Sequence, residues 1–90
     1  AEGAKVAVFN GTSIPGLAAS SANDLKSEGV TIVQAGNALN LYNHTTITDH
    51  TGNPHTLRFL VDLLGISTNQ IIHNYDPYSE VDVVIVLGNE

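Results

Sequence analysis

The sequence predicts an α+β fold of the ferredoxin-like βαββαβ type, one mostly antiparallel four-stranded sheet with two helices on one face. Three observations carry this expectation. Apolar, β-forming runs open and close the chain, two segments between them show helical three-and-four spacing, and the signals alternate strand, helix, strand, strand, helix, strand. Two split units of that kind pack most simply as one sheet, with the strand order supplied by topology rules and by no particular residue.

Residues 5–10, KVAVFN, read as the first strand because Val6, Val8 and Phe9 favour extended backbone and Asn-Gly ends the run. Leu17, Ala18, Ser21, Ala22 and Leu25 then mark one face of a helix that Gly29 stops. Residues 30–35 form the second strand and residues 45–50 the third, which is rich in β-branched residues and ends at TGNP. The second helix has the clearest signal: Asn53 as cap, Pro54 at the first helical position, Leu57, Leu60, Val61 and Leu64 as the buried stripe, and Gly65 as terminator. Residues 66–80, rich in Asn, Asp, Ser and Pro, read as a loop, and residues 81–87, VDVVIVL, as a near-continuous apolar strand closed by Gly88.

Alternation along the outer runs has a further consequence. If Val6 and Val8 face the helices, Ala7 and Phe9 face away, and Val84 and Val86 do the same opposite Val83 and Ile85. A sheet face carrying Phe9, Val84 and Val86 is an apolar patch that calls for a cover: a second copy, a neighbouring domain or the Ile71-Ile72 segment.

At 90 residues the chain is a single domain over residues 1–90, with residues 1–4 read as a linker. It is long enough to bury roughly 60 to 65% of its extended-chain surface. Having no cysteine, it can form neither disulfides nor thiolate metal sites. No apolar run approaches the roughly 20 residues that cross a bilayer, so direct membrane insertion by this segment is not expected. The absence of a starting methionine and of a signal peptide reads as a piece of a larger protein. Three basic residues against nine acidic ones give a net charge of −6. Lys5, Lys26 and Arg58 are too few and too scattered to neutralise phosphates, which sets nucleic acid and anionic membrane surfaces aside.

The corner NGTSIPG, residues 10–16, concentrates Asn10, Gly11, Thr12, Ser13, Pro15 and Gly16 between the first strand and the first helix. One reading is a joint: Gly11 permits a positive φ, Thr12 or Ser13 accepts a bond from a helix amide, and Pro15 presets the first turn. The other is a binding corner whose amides meet a polar, neutral ligand; the terminus dipole contributes only ~0.3 to 1 kcal/mol toward a charged one. Tyr42, Tyr75 and Tyr78 combine a flat apolar face with a polar tip, which suits either sugar stacking or plugging a loop onto the sheet edge.

Reactive chemistry is thin. His44, His50, His55 and His73, with Asp49 beside His50, show no metal-ligand spacing. Ser13, Ser20 and Ser21 have no partner set of His and Asp, and no G-x-S-x-G elbow occurs. Neither a catalytic residue nor a cofactor is expected.

The chain resembles the LytR C-terminal domain (LytR_C), the accessory module of LytR-CpsA-Psr cell-envelope proteins. The likeness is carried by VAVFNGTSIPGLA, by VQAGNA with the following Tyr42 and TTIT, by LVDLLG, and by VDVVIVLGNE. Ser13 stands where the family usually has the second glycine of NGTGVPG, and Glu90 where Asp is commoner. The resemblance implies an extracytoplasmic place in a Gram-positive type of envelope, with the parent protein membrane-anchored. It also implies a non-catalytic accessory role: contact with cell-wall glycan or a partner envelope protein. The phosphotransfer that links polymers to peptidoglycan belongs to another domain of such proteins, and its arginines and aspartates have no matching positions here. The alternative is a purely structural or dimerisation domain that uses the apolar sheet face to form a homodimer. The label of transcriptional attenuator attached to the family gains no support from so acidic a chain.

Overall fold

The computed structural model describes residues 4–38 and 40–88. Its elements run β1 (Lys5–Asn10), α1 (Leu17–Ser27), β2 (Thr31–Asn37), β3 (Thr46–Asp49), α2 (Pro54–Leu64), a one-turn 3-10 helix (Thr68–Gln70), β4 (Ile71–His73) and β5 (Val83–Leu87). The elements expected from periodicity are all present. The loop expected over residues 66–80 holds a 3-10 turn and a fifth strand besides.

The sheet corrects the ferredoxin-like expectation. Its order is β2-β1-β5-β3-β4. β1 pairs parallel with both β2 and β5, β3 pairs parallel with β4, and β3 with β5 is antiparallel, so the sheet is mixed and five-stranded. Each helix joins two adjacent parallel strands, and β5 fits between the two βαβ units. A ferredoxin-like order would have left the last strand at an edge. VVIVL is apolar at every position and gains most where strands flank it on both sides, which is where it lies.

Both helices do share one face. Val6, Val8, Ile47, Val83, Ile85 and Leu87 form a single core with Ala18 and Leu25 of α1 and Leu57 and Leu60 of α2. The register explains the grouping, because Val6 lies opposite Val83, Val8 opposite Ile85, and Ile47 opposite Ile85 and Ile71. Small Ala18 and Ala22 let α1 approach β1 and β2 closely, whereas α2 reaches the sheet with leucines. Burying each large core side chain stabilises the fold by about 1.5 to 3 kcal/mol. Ala4, read as linker from sequence, is buried with this core, while residues 1–3 and Glu90 lie outside the described residues.

Residues 40–45 cross the ends of β1 and β5 on the way from β2, at one edge, to β3. This crossing explains two glycines. A Cβ built on Gly11 would sit 2.6 Å from the Leu87 carbonyl oxygen and 2.7 Å from Tyr42 Cδ1, and one on Gly88 would overlap the backbone of His44. Tyr42 N donates to the Gly11 carbonyl at 2.7 Å and Gly88 N to Thr45 Oγ1 at 3.1 Å, fixing the crossing segment to both strand ends. Gly36 contrasts with them, since a Cβ there meets the Phe9 ring at an ordinary 3.9 Å. Gly11→Ala and Gly88→Ala are therefore expected to destabilise by about 1–3 kcal/mol or more, and Gly36→Ala by less than about 1 kcal/mol, in urea unfolding followed by circular dichroism.

Candidate functional site

The corner at residues 10–16 is built from its own polar groups. Asn10 Nδ2 donates to the Ile14 carbonyl at 2.6 Å, and Asn10 Oδ1 accepts from Thr12 N at 2.9 Å and from the Thr12 hydroxyl at 2.5 Å. Thr12 Oγ1 in turn accepts from Ile14 N at 3.1 Å. Both side chains are buried, so they brace the turn and do not cap the helix. Gly16, at φ 74°, occupies the N-cap with no side-chain bond, and Ser20 N donates to its carbonyl to start α1. Gly11, expected to supply the positive φ, instead supplies room for Tyr42. Ser13 is exposed and has no positive φ, which explains why a side chain is tolerated at that position. Pro15 is exposed just ahead of the N-cap.

The tyrosines part company. Tyr42 rests against Gly11 at the end of the sheet where β1 and β5 finish. Tyr75 and Tyr78 stand at the opposite end, after Asn74 N donates to Asp49 O and where Asp76 N donates to His50 O. They are 75% and 92% exposed, so they plug nothing. The residues picked out as one binding set thus occupy two ends of the molecule.

Phe9, Val84 and Val86 fall together as alternation predicted. Phe9 lies opposite Val86 and Gly36, Ala7 opposite Val84 and Gln34, Thr46 opposite Val86, and Thr48 opposite Val84 and Ile72. These residues share the sheet face away from the helices. Phe9, Val84, Val86, Thr46 and Thr48 are half-buried and Ile72 is 48% exposed. The Ile71-Ile72 segment, one of the three expected covers, extends the sheet as β4 instead: Ile71 joins the core side and Ile72 the open side. Just past the end of β1, the Tyr42 ring occupies the space that a side chain on Gly11 would fill. Among the described residues these central rows carry aliphatic, aromatic, hydroxyl and amide side chains and no charge.

At the far end of the sheet lies a polar network that sequence reasoning missed. Asp49, buried on β3, accepts from Gly52 N (3.1 Å), Asn53 N (3.2 Å) and Asn53 Nδ2 (3.1 Å), and His73 Nδ1 stands 3.9 Å away. Asn53 Nδ2 also donates to Thr51 Oγ1, so Asn53 braces the turn where a side-chain cap was expected. The Thr51 hydroxyl donates to Asp82 Oδ1 at 2.9 Å, and Lys5 N donates to Asp82 Oδ2 at 2.8 Å. The T-G-N-P run after a strand was the available signal, but Asp82, the partner of Thr51, is 31 positions further along the sequence. His50 Nδ1 donates to the Asn74 carbonyl at 2.8 Å. Among the described residues no group of three His, Asp or Glu is placed to hold a metal ion.

A shallow groove of about 420 Å³ separates the helices, lined by Ser21, Asp24, Leu25, Ser27, Glu28, Leu63 and Leu64. It has carboxylates and hydroxyls but no histidine to activate Ser21. Of the residues read from sequence as contact positions, the open sheet face brings together Phe9, Val84 and Val86, with Tyr42 at the end of the sheet beside Gly11.

The comparisons with known proteins follow the same outline. The family model LytR_C, described as LytR cell envelope-related transcriptional attenuator, matches residues 3–90. A search of curated proteins found no match. The soluble domain of a conserved hypothetical secreted protein from Mycobacterium marinum superposes with a TM-score of 0.67 at 24% identity, over 94% of this chain and 58% of that one. At that identity the likeness shows the fold.

Asp82 yields a pH prediction. The amide of Lys5 and the hydroxyl of Thr51 hold its carboxyl below the ordinary 3.8, against a small opposing effect of burial. A depressed folded value means that the ionised carboxylate stabilises the fold above the unfolded value and loses that contribution as pH falls through the folded one. Asp82→Asn should therefore be less stable than wild type at about pH 6, with the gap closing toward about pH 2.5, in urea titrations.

Proposed function

The chain belongs to the LytR_C family, and on that premise we propose that it is a non-catalytic, extracytoplasmic accessory module that positions a cell-envelope protein by binding wall glycan. The contact surface is the open sheet face together with Tyr42 at the end of the sheet. One observation carries the reading: a five-stranded face over which the described residues lay no second layer, uncharged across its central rows, on a chain whose net charge is −6. Sugar rings stack on aromatic and aliphatic surfaces through their C–H faces and bond hydroxyl groups at their rims. Phe9, Tyr42, Val84 and Val86 offer the first, and Thr46, Thr48 and Gln34 the second. Anionic polymers would be repelled by the acidic body of the domain, so the neutral glycan backbone is the favoured ligand. The secreted relative supports the location, and no described helix is long and apolar enough to cross a membrane. The parent's membrane anchor is part of this proposal.

The test is retention of the domain on insoluble peptidoglycan, with amide shift mapping by soluble muropeptides. Retention should fall several-fold in Tyr42→Ala and Thr48→Ala, and shifts should cluster on residues 7–11, 42, 46–48 and 84–86. Loss of retention through Tyr75→Ala and Tyr78→Ala instead would move the site to the far loop. A wild-type domain that does not bind the wall at all would overturn the reading.

A further inference from the structure

We propose that the outer edge of β2 is a self-association site, where β2 of a second copy pairs antiparallel across a two-fold axis and joins two sheets into one. The edge is seven residues long, TIVQAGN, and carries neither charge nor proline. β2 has β1 as its sole neighbour in the sheet, and is exposed or half-exposed throughout. Its outer row of amides and carbonyls is a template for another strand. Exposed edges are ordinarily blunted by a charge, a proline, a bulge or very short length, and of these β2 has only a bulge, confined to its first half. The other edge is protected: β4 has three residues and follows directly on the 3-10 turn, whose Gln70 side chain is anchored to the Thr45 carbonyl. The bulge in β2 shifts the register between Val6 and Ala7, but pairing is regular from Gln34 to Asn37, leaving a straight stretch for a partner.

Charge selects a second copy as the occupant. Among the described residues the carboxylates lie on the helices (Asp24, Glu28, Asp62) or at the β3 exit and the far-end loop (Asp49, Asp76, Glu80, Asp82), with none on β2. Two molecules of an acidic chain can therefore meet along this neutral line without opposing like charges. α1, which packs over β2, adds to the fit. Its exposed residues outside the inter-helix groove include Ala19, Ser20 and Asn23, small enough for a symmetry-related helix to lie alongside, and antiparallel symmetry keeps the two Lys26 side chains apart. Pairing at this edge leaves the open sheet face uncovered and doubles its extent, so it is independent of the glycan reading and compatible with it.

Analytical ultracentrifugation of the 90-residue chain should show a monomer–dimer equilibrium at submillimolar concentration. Val33→Lys and Ala35→Lys should each weaken it at least tenfold, with unchanged circular dichroism, while Ile72→Lys on the opposite edge should not. Because the chain lacks cysteine, a single Ala35→Cys variant should be joined by a short thiol-to-thiol crosslinker and an Ile72→Cys variant should not. A chain that stays monomeric at every concentration, or a dimer that both β2 lysines leave intact, would overturn the proposal.

Discussion

The fold depends on where the last strand goes. β1-α1-β2 and β3-α2-β4 are each local βαβ units whose parallel strands lie side by side. β5 joins them by pairing parallel with β1 on one side and antiparallel with β3 on the other. Val83, Ile85 and Leu87 then complete one core beneath both helices. At one end Asp82 ties β5 to the start of β1 and to the turn before α2; at the other, Gly88 lets the crossing segment pass over. The active ingredient is a strand apolar on both faces, which only a central position can satisfy.

The same insertion leaves the chain with two unlike surfaces. The helices, their groove and Asp24, Glu28 and Asp62 lie on one side and a sheet face uncharged across its central rows on the other, with Asp49, Asp76, Glu80 and Asp82 gathered at one end. Separation of charge from the sheet follows from the sequence, since β1, β2 and β5 contain no acidic residue. An acidic body with a neutral face stays soluble through the first and offers contact through the second.

Much of this was legible in the amino-acid order. The stripes Leu57, Leu60, Val61, Leu64 and Leu17, Ala18, Ala22, Leu25 gave both helices nearly to the residue, and the alternation of Val6, Val8 against Ala7, Phe9 gave the open face. The sheet order was not legible, because pairing is a property of strands meeting in space and VVIVL does not record its neighbours. β4 was hidden by its length: IIH is three residues inside a run dominated by Asn, Asp and Ser. The corner is held by other bonds than those expected from sequence. Asn10 and Thr12 spend their hydrogen bonds on each other and on Ile14, and Gly11 makes way for a ring 31 positions further on, a contact no local rule anticipates.

The placement of β5 also sets the order in which the molecule can form. A chain delivered amino end first, from a ribosome or through a narrow export channel, presents both βαβ halves while the strip that unites them is still threaded. Until residues 83–87 emerge, β1 and β3 each expose an unpaired side, so cooperative closure is necessarily the last event. Deleting residues 83–87 therefore removes the strand that holds the two halves together, whereas β4 is a three-residue edge strand with one neighbour.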